Sequence, residues 1–160
     1  MARVGKVHEG RLDGTGLRIA IVATRWHEDI VARLTAGAID AARNHGIDEA
    51  RLDLAYCPGA FEIPYTVKRL ALTGRYDAIV ALGCVIRGET AHFDYVAGEA
   101  AQVGAVARET GVPVGFGVLT TETVEQAIER AGGRAGNKGA EAMLAAIETV
   151  RLARAIEENR

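Results

Sequence analysis

The residues best suited to chemistry crowd into one stretch, 83–96, which reads Gly-Cys-Val-Ile-Arg-Gly-Glu-Thr-Ala-His-Phe-Asp-Tyr-Val. It follows an apolar run, Ala78-Ile79-Val80-Ala81-Leu82. A strand that feeds a glycine-containing turn into a helix leaves backbone N–H groups without intrahelical partners. Those donors suit a phosphate or a carboxylate. His92 falls in the first turn of that helix. An imidazole titrates near neutral pH, so it can give and take protons there. An anion cradle with a proton-transfer group beside it predicts a reaction on a small phosphorylated molecule.

Such a cradle needs a frame, and the rest of the chain supplies alternating strand and helix signals. Strands are predicted over 17–23, 51–57, 78–86 and 113–119. Helices are predicted over 28–45, 63–73, 92–110, 121–131 and 138–159. Ile30, Leu34 and Ala38 fall on one face of the first helix, and Gly46 stops it. Pro58-Gly59 ends the second strand, and Pro64 is tolerated near the start of the next helix. The connection 132–137, Gly-Gly-Arg-Ala-Gly-Asn, joins the last two helices. Short apolar strands alternating with helices mean an α/β fold, a four-stranded parallel sheet covered on both faces. Residues 1–160 are expected to form one domain, with 1–14 as an N-terminal arm or added strand. In such sheets ligands bind at the carboxyl ends of the strands. Those ends carry Trp26, Phe61, Glu62, Arg87 and His92, so these five are expected on one edge.

Composition narrows the classes. The chain has 160 residues, 49% apolar and 25% charged, with a net charge of −2. That charge gives no reason to expect nucleic acid or an anionic membrane as a partner. No apolar run is long enough to span a bilayer. Residues 1–16 hold Arg3, Lys6, His8, Glu9 and Arg11 without an apolar core, so no secretory signal is read. Cys57 and Cys84 have no metal or redox spacing and read as small buried apolar residues in a reducing, cytoplasmic setting. His8 and His45 read as surface residues. Two function classes remain: an enzyme acting on a small phosphorylated substrate, and a nucleotide- or flavin-binding module. Neither GxxxxGK[ST] nor GxGxxG stands at a strand–helix junction, which removes the usual phosphate loops of the second class. The histidine in the cradle favours the enzyme.

The junctions resemble the lumazine synthase family. The matching pieces are Arg25-Trp26-His27, Pro58-Gly59-Ala60-Phe61-Glu62-Ile63-Pro64, the stretch 83–96, and Phe116-Gly117-Val118-Leu119-Thr120-Thr121-Glu122. A fifth block runs over 125–132 and continues in Gly136-Asn137-Lys138-Gly139. Five blocks in register, over about residues 15–155, make the resemblance specific. It implies a three-layer, flavodoxin-like sandwich and a transferase of riboflavin biosynthesis. The implied reaction condenses 5-amino-6-(D-ribitylamino)uracil with 3,4-dihydroxy-2-butanone 4-phosphate to give 6,7-dimethyl-8-ribityllumazine, phosphate and water. It implies no cofactor and no metal. The opposing reading is an inactive flavin binder or scaffold of the same fold.

The resemblance also assigns roles, each set beside what the local sequence says. Trp26 would stack on the pyrimidine; by position alone it is equally a core residue at the start of the helix. Phe116 would line the same pocket, and it is also a strand residue with a place in the core. Ala60, Phe61 and Glu62 would hold the ribityl chain and the pyrimidine edge. A carboxylate accepts hydrogen bonds from hydroxyls, which suits a polyol. Glu62 is equally a first-turn acid favoured by the helix dipole. Cys84, Val85 and Ile86 would bind the pyrimidine through backbone groups. Glu89 and Thr90 would take the phosphate, although the Glu89 carboxylate would repel it unless it points away or is offset. Arg130 would be the offset, bidentate to the phosphate; local sequence alone reads it as a solvated helix arginine. His92 would be the proton-transfer residue. His27 and Lys138 are further candidates for contact with substrate.

Assembly is the last expectation. The helix over 138–159 has an apolar arc of roughly 220°, twice what a surface helix needs. The helix over 92–110 carries small residues that allow close contact. Both fit the family's ring-shaped pentamer, a homo-oligomer with active sites between subunits, as does an N-terminal segment adding Val4 and Val7 to a neighbour's sheet. By the resemblance, Phe116 and Arg130 would come from one subunit and Trp26, Glu62 and His92 from the next. Pentamers in this family stand alone, pair or close into an icosahedral shell, and riboflavin synthase is a partner raised by the same resemblance.

Overall fold

A computed structural model describes residues 3–158. Four parallel strands form the central sheet: β1 (Ile19–Thr24), β2 (Leu52–Cys57), β3 (Ala78–Ile86) and β4 (Val114–Thr121), in the order β2-β1-β3-β4. Helices α1 (Glu28–Asn44), α2 (Ile63–Ala71), α3 (His92–Ala100), α4 (Val103–Thr110), α5 (Val124–Arg130) and α6 (Lys138–Glu157) surround it. All six residues of β1 are buried, as expected for a central strand covered on both faces. The strand's period of two divides them. Ile19, Ile21 and Ala23 pack with α1 and α6; Ala20 and Val22 pack with α2 and α4. The three-layer α/β architecture is therefore the one expected.

The differences are local. The predicted helix over 92–110 is two helices, α3 and α4, broken at Ala101 and Gln102 and packed in the same core cluster. The helix over 121–131 begins only at Val124, because Thr121 extends β4 beside Ile86 and Thr123 caps α5 by accepting the Gln126 N–H. The 132–137 connection is a small antiparallel hairpin, β5 (Ala131–Gly133) and β6 (Gly136–Asn137), rather than an open loop. Single-turn 3₁₀ segments precede β2 and α2, at Glu49–Arg51 and Ala60–Glu62. The end of the predicted last helix, at residue 159, lies outside the described residues. His45 is half-buried rather than on the surface: its Nδ1 donates to the Ala41 carbonyl at 2.8 Å, and its own carbonyl accepts the Gly14 N–H at 2.7 Å.

The sheet is braced at the α1–α6 crossing. A Cβ on Gly139 would lie 2.0 Å from the Leu34 carbonyl oxygen, so glycine is what lets the two helices meet. Asn137 fixes the same corner. Its Oδ1 accepts the N–H groups of Gly139 and Ala140, and its Nδ2 donates to the Arg33 carbonyl at 3.0 Å. Buried side chains on α6 (Ala142, Met143, Ala146, Ile147 and Val150) span an arc of roughly 140°, less than the sequence pattern offers. Ala145 and Ile156 stay exposed on the remainder.

Candidate active site

In a sheet ordered β2-β1-β3-β4, the chain leaves β1 and β3 toward opposite sides, which opens a crevice beyond their carboxyl ends. The structure has a cleft there in two lobes. The first, of about 190 Å³, is lined by Trp26, His27, Ala60, residues 84–86, Thr90 and His92. The second, of about 360 Å³, adds Phe61 and Glu62 and shares Trp26, Ala60 and His92 with the first. Trp26 and His92 therefore stand where the two lobes meet.

Each side chain is set by a local feature. Trp26 follows β1 in a turn whose Arg25 and Trp26 N–H groups donate to the Cys57 and Pro58 carbonyls. His27, the one non-glycine residue with positive φ among those described, adopts the left-handed conformation (φ 59) and starts α1. That reversal leaves Trp26 66% exposed in the cleft, outside the core. Gly59 lies under the indole; a Cβ there would sit 3.2 Å from Trp26 Cε3. The Gly59 N–H donates to Glu62 Oε2 at 3.0 Å, which fixes the carboxylate beside the second lobe.

His92 opens α3. No side chain caps that helix at Ala91, and the His92 N–H donates to the Thr90 hydroxyl at 3.4 Å. The Asp94 N–H donates to the Ala91 carbonyl at 3.0 Å in the same turn. Burial pushes the Cys84 thiol up to about 11, and burial is also the first cause of the raised value of Cys57. Both are buried free thiols, in keeping with their reading as apolar packing groups.

Nine of the predicted residues thus meet at the cleft: Trp26, Ala60, Phe61, Glu62, Cys84, Val85, Ile86, Thr90 and His92, with His27 beside them. Glu89 is exposed on the same turn and makes no ion pair among the described residues. Three others lie elsewhere. Phe116 sits opposite Ala81 on the edge strand β4 and is 47% exposed. Arg130 ends α5, and its Nη1 donates to the Gln126 carbonyl at 3.0 Å. Lys138 pairs with Glu141 at 3.1 Å in the first turn of α6. Sequence reasoning missed Phe93 and Val96, which complete the apolar wall. Val96 is four residues after His92, one turn along the same helix face, so helical spacing would have found it.

A parallel α/β sheet whose switch point holds an exposed indole, a fixed carboxylate and a helix-borne histidine defines a small-molecule enzyme of flavodoxin-like architecture. The 6,7-dimethyl-8-ribityllumazine synthase family model matches residues 16–154. Two proteins of that name, from Nitratidesulfovibrio vulgaris strains DP4 and Hildenborough, are each 55% identical over 148 residues, covering 92% of this chain and 95% of theirs. The chain belongs to the 6,7-dimethyl-8-ribityllumazine synthase family.

Proposed function

We infer that this chain condenses 5-amino-6-(D-ribitylamino)uracil with 3,4-dihydroxy-2-butanone 4-phosphate to form 6,7-dimethyl-8-ribityllumazine. The observation that carries this is the meeting of Trp26, Glu62 and His92 around one cleft in a chain of this family. The pyrimidine stacks on the indole, which presents a flat apolar face with no rotamer to freeze beyond its own. Glu62, held by Gly59, accepts hydrogen bonds from ribityl hydroxyls. The phosphate rests against the Thr90 hydroxyl and the N-terminal end of α3.

The pyrimidine amine attacks the ketone carbon, and water leaves as the imine forms. Loss of phosphate leaves an enol that tautomerises to a second carbonyl; the ribityl-bearing amine attacks it, and a second water leaves as the ring closes. Proton movement at the amine, the carbinol oxygen and the carbon chain falls to His92, which reaches both lobes. Much of the remaining acceleration comes from holding two substrates in contact.

Among the described residues of one chain, the turn proposed for the phosphate carries no unpaired cation. Arg87, the cation on it, is paired with Glu122 and Asp94, and Glu89 adds another negative charge. The reading therefore assigns Arg130 of a neighbouring copy, with Phe116, to close the site in a pentamer, and the N-terminal arm to that copy's sheet edge. Lys138 serves the same shared site. Val4 and Val7 are exposed and belong to no strand among the described residues, and Phe116 is 47% exposed on the edge strand. Arg130→Ala tests the assignment: the KM for the phosphorylated substrate should rise at least tenfold, of the order lost with one charge-assisted pair. An unchanged KM removes Arg130 from the phosphate site.

A further inference from the structure

Arg87 stands beside the phosphate turn, yet its side chain does not line the cleft. Its guanidinium is committed on three sides. Nε donates to Glu122, with 2.9 Å to Oε2 and 3.1 Å to Oε1. Nη1 lies 3.5 Å from Asp94 Oδ1. Its carbon centre lies 4.4 Å from the centroid of the Phe93 ring. The Arg87 N–H donates to the Thr121 carbonyl at 2.9 Å, so its backbone is tied to the end of β4 as well.

Phe93 and Asp94 are the two residues after His92, in the first turn of α3. Glu122 belongs to the loop after β4. A planar guanidinium stacked on one ring and forked to two carboxylates fixes direction as well as distance. We propose that Arg87 is a positioning residue: it clamps the first turn of α3 to the end of β4 and thereby aims His92 into the cleft, and it does not bind phosphate. Its charge is balanced by Glu122 and Asp94, which hold its Nε and Nη1 donors outside the cleft.

The proposal rests on the condensation reading above and on His92 as its proton-transfer group. Arg87→Ala and Arg87→Lys, each alone and combined with His92→Ala, separate the possibilities. Loss of the clamp should lower kcat by about 10- to 100-fold with little change in the KM for the phosphorylated substrate, as small misplacements of a catalytic group do. Lysine should rescue only partly, since it keeps the charge and loses the fork. In the His92→Ala background, Arg87→Ala should lower turnover less than twofold, because its effect passes through His92. Equal losses in both backgrounds would overturn the proposal, as would a rise in KM with kcat unchanged, the mark of a phosphate ligand. If Arg87→Ala does not fold, Glu122→Gln in the two backgrounds is judged by the same pattern. Absence of product from the unsubstituted protein would instead remove the condensation reading itself.

Discussion

Trp26 and His92 share a cleft, and the neighbouring thiol shows how apolar that cleft's floor is. Cys84 faces the core from β3, and removal from water raises its thiol from an ordinary 9.0 to about 11. A raised folded-state value means that the folded chain keeps a proton the unfolded chain releases. The resulting stability is complete below about pH 9 and is lost as pH climbs toward 11. The same shift predicts slow alkylation. At pH 8 the thiolate population at Cys84 should be about 100-fold below that of an ordinary cysteine, with burial slowing reaction further. Iodoacetamide labelling followed by mass spectrometry, native against denatured, measures it; comparable rates in both would contradict the burial seen here.

At the scale of elements, the site depends on how firmly α1 and α6 hold the sheet from behind. Asn137→Ala removes an N-cap with two acceptor bonds and a tie to Arg33, and should cost about 1–2 kcal/mol. Gly139→Ala forces a methyl against the Leu34 carbonyl and should cost more, about 2–3 kcal/mol. Thermal or urea denaturation reads both, and a smaller loss for Gly139→Ala than for Asn137→Ala would reverse the predicted ranking. The sequence showed these elements well where one signal dominated. Apolar β1 and β3, and α1 with Ile30, Leu34 and Ala38 on one face, are legible by periodicity alone. The break at Ala101 and Gln102 was not, because an alanine-rich run carries no stop signal. Nor was the β5–β6 hairpin, since glycines permit many turns and tertiary contacts choose among them. Trp26 shows the same limit within the site: its type allowed core or surface, and the left-handed His27 backbone decided.

For the whole molecule, the proposed site takes a stacking face, a carboxylate and a histidine from one chain, and among the described residues the turn proposed for the phosphate has no unpaired cation. Tyr65, Tyr95, Leu72 and Phe116 are exposed. If the site is shared, two defective chains should repair each other. His92→Ala and Arg130→Ala subunits, mixed and reassembled, should regain roughly a quarter of the intact sites by random pairing across a head-to-tail ring interface. A mixture no more active than its parents would argue for sites built within single chains.

The central claim is that the cleft catalyses lumazine formation with His92 moving the protons. The direct measurement is product absorbance and fluorescence after mixing the two substrates with unsubstituted protein and with His92→Ala, each against the spontaneous background. The account predicts turnover well above background for the unsubstituted chain and a loss of about 100- to 10,000-fold, with a measurable remainder, for His92→Ala. A rate at background with the unsubstituted chain would contradict the enzyme, and equal rates for the two proteins would contradict the role of His92.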